Sequence, residues 1–149
     1  MIRYYEDSGK GMEFYVKYLS KRPYVYGKHF APHDIKAREM ITGKTRLESA
    51  SALGIEFEVV PQIGVQNGID AARMLFKRLW VDNKRCEKWI ELIPQYTKEY
   101  DEDKKIFKDT PLHDWTSHGA DMFRYAAVVV DEMKGPSRNE IHVHIPEED

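Results

Sequence analysis

Apolar positions recur along the chain with two different periods, and the alternation between them predicts an α/β protein. Met1 to Glu6 is rich in aromatic and branched residues and runs into the turn-forming Asp7-Ser8-Gly9, which predicts an opening strand. Met12, Tyr15, Val16 and Leu19 then recur at helical spacing between Gly11 and Ser20. Tyr24 to Phe30 reads as a second strand after Pro23, ending at Ala31-Pro32-His33-Asp34. Thr45-Arg46-Leu47-Glu48 has the spacing of a capping box, predicting a short helix that closes at Gly54. Ile55 to Val60 alternates with period two and stops at Pro61, so strand, helix and strand follow one another.

The second half is mostly helical in pattern. From Gly68, the residues Ile69, Ala72, Leu75, Phe76 and Leu79 share one face. Asp82 or Asn83 can cap a further helix carrying Cys86, Trp89, Ile90 and Ile93, which Pro94 should interrupt. The charge run from Lys98 to Lys105 reads as a solvated helix end or hairpin tip. A last helix starts at Thr116 or Ser117 and carries Met122, Tyr125, Ala126 and Val129 as far as Met133. Trp115, between polar residues and this helix, is expected in the core. These elements suit a domain over residues 1–134 followed by a polar tail over 135–149, where Ile141-His142-Val143-His144-Ile145 alternates. That tail either adds an edge strand or stays mobile.

Composition narrows the classes. The chain has 149 residues with 23 Lys+Arg against 25 Asp+Glu, a formal net charge of -2, so no global charge advertises a nucleic-acid or membrane partner. The single cysteine, Cys86, rules out an internal disulfide or a multi-cysteine zinc site. There is no signal-like segment and no long apolar run, so no membrane association is expected, and the expected compartment is the cytoplasm.

Two acidic positions carry the candidate chemistry. Asp34 follows His33 at the end of a strand, and Asp121 lies about one turn from Ser117, His118, Arg124 and Tyr125, with the small Gly119 and Ala120 leaving room for backbone or ligand. Carboxylates from separate elements that converge repel one another unless a cation lies between them, and Mg²⁺ or Mn²⁺ accepts such oxygen ligation. The plainer alternative is that Asp34 caps the helix after it and Asp121 is an ion-paired helix residue. Gly43-Lys44-Thr45 imitates the end of a P-loop, but Arg38 stands where the pattern requires glycine. His29 and His33 lack the glutamate of a zincin pair, and Cys86 lies on an apolar face, as inert thiols do. The basic pairs Lys77-Arg78 and Lys84-Arg85 flank Trp80, either for phosphate contact or as a solvated helix face.

Four segments in order carry a family resemblance. They are Tyr4 to Gly9, Pro32-His33-Asp34, Gly68-Ile69-Asp70-Ala71-Ala72-Arg73, and the long run from Pro111 to Tyr125 with Leu112-His113-Asp114-Trp115-Thr116-Ser117-His118-Gly119-Ala120-Asp121. Together they resemble the nuclease domain of tailed-phage large terminases, over roughly residues 1 to 130. The resemblance implies an RNase H-like mixed sheet flanked by helices and two-metal cleavage of concatemeric double-stranded DNA during genome packaging. It also implies the small terminase subunit and the portal as partners, in a host cell's cytoplasm. Asp34 matches the family's second metal-binding carboxylate and Asp121 the one on its last helix, while His118, Asp114 and His33 take supporting roles.

The family's first catalytic aspartate lies on a strand upstream of anything in this chain, as does its ATPase motor. The chain therefore resembles a C-terminal fragment, natural or shortened, missing the first, central strand of the sheet. Glu6 and Asp7 lie at the turn end of an outer strand, poorly placed to replace that acid. The expected consequences are unpaired sheet edges, through which copies can associate, and weak or no cleavage by the chain alone. The alternative is a catalytically dead prophage remnant that only binds DNA or oligomerises.

Overall fold

In the computed structural model, which describes residues 1–111, 114–131 and 133, helices alternate with short strands in an α/β arrangement. The tail over 135–149, with its alternating patch, and the motif residues Leu112 and His113 lie outside the described residues.

Residues 1–6 do not form the predicted strand. The backbone they lie against is a turn, in which the Asp82 carboxylate accepts from the amides of Lys84 and Arg85 at 3.0 and 2.9 Å, so it offers no ladder of paired groups. Instead the Asp82 amide donates to the Met1 carbonyl at 3.0 Å and the Tyr4 amide to the Arg85 carbonyl at 3.1 Å. The segment is tied down further by the Met1 amino group on the Trp80 carbonyl and by Lys88 on Glu6.

Helix α1, Met12–Ser20, follows as predicted. Strand β1, His29–Ala31, is only the last part of the predicted strand from Tyr24. It pairs in parallel with β2, Phe57–Val59, His29 opposite Phe57 and Ala31 opposite Val59, and a partner of three residues cannot extend the pairing further back. Between them lie a 3-10 turn, His33–Lys36, and helix α2, Arg46–Ala52. The capping box at the start of α2 is present in full, the Glu48 amide donating to the Thr45 hydroxyl at 3.0 Å and the Thr45 amide to the Glu48 carboxylate at 2.6 Å. The Gly43-Lys44-Thr45 tripeptide thus serves a turn and a cap. Ala31, Ile35, Ala50 and Val60 are buried in this unit.

Helix α3, Val65–Phe76, begins three residues earlier than its apolar face predicts, and α4, Glu87–Leu92, begins later, with Cys86 in the capping position. Pro94 ends α4 in a 3-10 turn, Ile93–Gln95. The charge run belongs to a hairpin, β3, Lys98–Asp101, paired antiparallel with β4, Ile106–Pro111. The described strands thus form two separate two-stranded sheets. Helix α5, Ser117–Val128, stops five residues short of Met133, where the β-branched run Val128-Val129-Val130 disfavours helix.

The core lies where α3, α4 and α5 meet. Ala72, Leu75, Trp89, Leu92, Phe123 and Ala127 are buried together, with Phe123 4.7 Å from Phe76 and 5.1 Å from Trp89 between ring centroids. The buried indole is Trp89, 2% exposed, whose Nε1 donates to the Gly119 carbonyl at 3.2 Å. Trp115, expected inside, is 54% exposed. Among the described residues no helix is long and apolar enough to cross a membrane.

Candidate functional site

β1 delivers the chain into the 3-10 turn that carries Asp34, and α5 presents His118 and Asp121 one turn apart. All three line a single open cavity of about 1160 Å³. Its lining includes the stretch from Val25 to Pro32, Phe57 and Val60 at and beside β2, Met122, Tyr125 and Ala126 of α5, and Ile2 of the N-terminal segment. Two carboxylates that are distant in sequence therefore face the same space.

Their surroundings differ. Asp34 is exposed and lies within the 3-10 turn, His33–Lys36, whose capping residue is Pro32 and which has no side-chain cap. Asp121 is paired along its own helix with Arg124, whose Nη2 and Nε approach its Oδ1 at 3.0 and 3.3 Å. Burial opposes the charge on Arg124, and its hydrogen bond and attraction to Asp121 more than offset this, holding the guanidinium firmly charged. Burial, together with the negative charge of Asp121, pushes the nearby Tyr96 phenol up.

The Arg124 pairing matches the plainer sequence reading, in which Asp121 is an ion-paired helix residue with Arg124 one turn away, whereas the contact of Arg124 with α3 had no signal in the sequence. Its stem lies across α3 at Gly68, where an added Cβ would come within 2.7 Å of its Cγ. Gly68 in the Gly68-Ile69-Asp70 motif thus makes room for the arginine that holds Asp121. Gly119 has a different purpose from the one expected: a Cβ there would meet both Leu92 methyls at 2.8 Å and the Tyr4 hydroxyl at 3.0 Å. It lets α4 and the N-terminal segment approach α5 instead of clearing space before Asp121.

The supporting residues separate. Asp114 accepts from the Thr116 amide and hydroxyl at 2.9 and 2.6 Å, and its carbonyl accepts from the Ser117 hydroxyl at 2.7 Å, so it builds the turn into α5. His33 is exposed and does not line the cavity, whereas His29 does, packed edge-on to Phe57 at 5.8 Å between ring centroids. Glu6 and Asp7 also lie off the cavity lining. Burial acts to raise the Glu6 pKa, but hydrogen bonds from Lys88 and Tyr4 and the charges of Lys88 and His118 bring it below the ordinary 4.5. Asp7 accepts from the Ser8 amide and the Tyr5 hydroxyl at 2.8 and 3.0 Å. Cys86 is buried, which pushes its thiol pKa up.

Asp34 and Asp121 offer the oxygen donors that a hard divalent cation prefers. Among the described residues, however, no three His, Cys, Asp or Glu side chains form a group able to hold a metal ion. The donor set suits Mg²⁺ or Mn²⁺ in kind and is short in number. The basic groups near the exposed Trp80 are partly spoken for, Arg85 by Asp82 at 3.5 Å and Arg78 by Asp131 at 4.0 Å. Comparison of the chain with protein-family models, with curated proteins and with solved structures found no match.

Proposed function

We propose that this chain is part of a divalent-metal-dependent DNA endonuclease of the terminase large-subunit kind, with Asp34 and Asp121 as two of its metal-binding carboxylates. The observation that carries the reading is that these two residues, picked out by separate motifs, line one cavity together with His118. The parallel pairing of β1 with β2 is compatible with it, because an RNase H-like sheet places its central strand on the other edge of such a strand. Double-stranded DNA is the substrate in this reading, with the small terminase subunit and the portal as partners.

Bound Mg²⁺ or Mn²⁺ would supply Lewis acidity to a DNA phosphodiester. The chain's own contribution is two carboxylates lining one cavity and an arginine that neutralises one of them until a cation takes its place. His118 lies on the same wall as Asp121, within reach of the same space. With one acid fewer than the family site, cleavage is expected to be slow, since losing a single electrostatic stabiliser costs on the order of 10²–10³ in rate.

A second reading, a DNA-binding remnant without catalysis, is favoured by the Asp121–Arg124 pair, which balances the charge of Asp121 without any metal. Calorimetric titration with Mn²⁺, beside a plasmid-nicking assay with and without EDTA, separates the two. The nuclease reading expects Mn²⁺ binding weakened by about tenfold or more in Asp34→Asn and in Asp121→Asn, and slow nicking abolished by EDTA. A folded chain that takes up no Mn²⁺ and nicks nothing overturns it, and retardation of duplex DNA by that same chain establishes the second.

A further inference from the structure

Two large apolar side chains stand in solvent at the tip of the loop between the 3-10 turn of Asp34 and α2: Met40 is 101% exposed and Ile41 99%. Single apolar residues scattered over a surface need no explanation, but two neighbours held outward by a braced turn do. Arg38 and Thr45 form an antiparallel bridge at the base of the loop, and the Glu39 amide donates to the Lys44 carbonyl at 2.9 Å. The Gly43 amide donates to the Glu39 carbonyl at 2.8 Å, with Gly43 at a φ of 66° that favours glycine. Arg38 Nη1 then donates to the Gly43 carbonyl at 2.8 Å. The backbone of the tip is thus fixed by its own hydrogen bonds while its two apolar side chains remain uncovered.

The flanks of the tip are basic. Lys36, Arg38, Lys44 and Arg46 are all exposed, and the single acid among residues 36–46 is Glu39, which accepts from the Thr42 hydroxyl at 3.3 Å. Glu48, just beyond, is held in the capping box of α2. Four positive charges against one negative leave this segment at +3 in a chain of net charge -2, and a polyanion is the partner such a concentration attracts. The loop also grows out of the candidate site, since the Ala37 amide donates to the Asp34 carbonyl at 2.9 Å. Met40 is six residues from Asp34, so the tip lies within about 20–22 Å of it, less than the roughly 34 Å of one duplex turn. A single duplex can therefore reach both. Methionine and isoleucine are among the side chains that minor-groove proteins insert between base steps, with arginine and lysine beside them.

We propose that Met40 and Ile41 form a wedge that enters the minor groove of duplex DNA and parts a base step, with Arg38 and Lys44 on the flanking phosphates. The inference rests on duplex DNA as the partner, which both readings above share, and it needs no metal. Binding of the full chain, in EDTA, to a duplex with 2-aminopurine in place of adenine at an easily unstacked TA step tests it. The wild type should brighten the probe as the base unstacks. The double variant Met40→Ala/Ile41→Ala should bind about tenfold more weakly and leave the probe dark, with Tm and Mn²⁺ uptake unchanged because both side chains are exposed and lie outside the carboxylate site. Brightening that persists in the double variant overturns the wedge and leaves the nuclease reading standing, and wild-type binding without brightening does the same. A wild type that takes up no Mn²⁺ yet brightens the probe keeps the wedge and overturns only the nuclease. Failure of the wild type to bind duplex overturns the wedge, and binding to phosphatidylserine vesicles that the double variant loses assigns the tip to an anionic membrane instead.

Discussion

Two tryptophans, one inside the core and one outside it, illustrate how far single residues can be read. Trp89 sits on a clean helical apolar face, and that pattern predicted its burial. Trp115 precedes its helix, where periodicity says nothing about direction, and it turned out exposed. Trp89→Ala is therefore expected to cost about 3–5 kcal/mol in urea unfolding. Trp115→Ala should stay within about 0.5 kcal/mol, and equal losses would contradict the structure. Glu6 gives a second prediction, in pH. Its folded pKa lies below the ordinary 4.5, so the stability it contributes is present above that value and drains away as the pH falls through the folded pKa. Glu6→Gln should be less stable than the parent at neutral pH, and the gap should close below pH 4.5. A gap of constant size across this range would mean that the Lys88 and Tyr4 contacts do not depend on the carboxylate's charge.

Among elements, those with local signals were legible and those set by a partner were not. The capping box fixed the start of α2, Pro94 the end of α4, and the spacing of Met12, Tyr15 and Leu19 the position of α1. Strands were overread, because aromatic and branched residues describe a surface that packs well whether or not a neighbouring backbone is available to pair. Tyr4 and Tyr5 found a turn to lie on, and Tyr24 to Lys28 had no opposite strand of matching length. The α3–α5 crossing was hidden for the same reason, since the need for glycine at 68 arises from Arg124 on another helix. Alanine there gains about 0.8–1 kcal/mol in helix propensity but overpacks at a cost of about 1–3 kcal/mol. Gly68→Ala should thus lower stability by about 1 kcal/mol, a fall of roughly 2–4 °C in Tm for a chain of this size. An unchanged or raised Tm would show that Arg124 swings aside freely.

For the whole molecule, sequence motifs identified Asp34 and Asp121, and the fold brings both to the wall of one cavity. What they could not convey was the company these residues keep, because helix crossings and cavity walls arise from packing between distant segments. Arg124 is the clearest case. It is held by Asp121 on one side, rests against Gly68 of α3 on the other, and lines a second cavity with Tyr96. In the nuclease reading proposed above, a cation that took Asp121 Oδ1 would compete with this internal counter-charge, and that arginine is the same side chain that fills the crossing of α3 and α5. To the extent that the two compete, occupation of the site and the tightness of that crossing would be thermodynamically linked, each weakening the other by the same free energy.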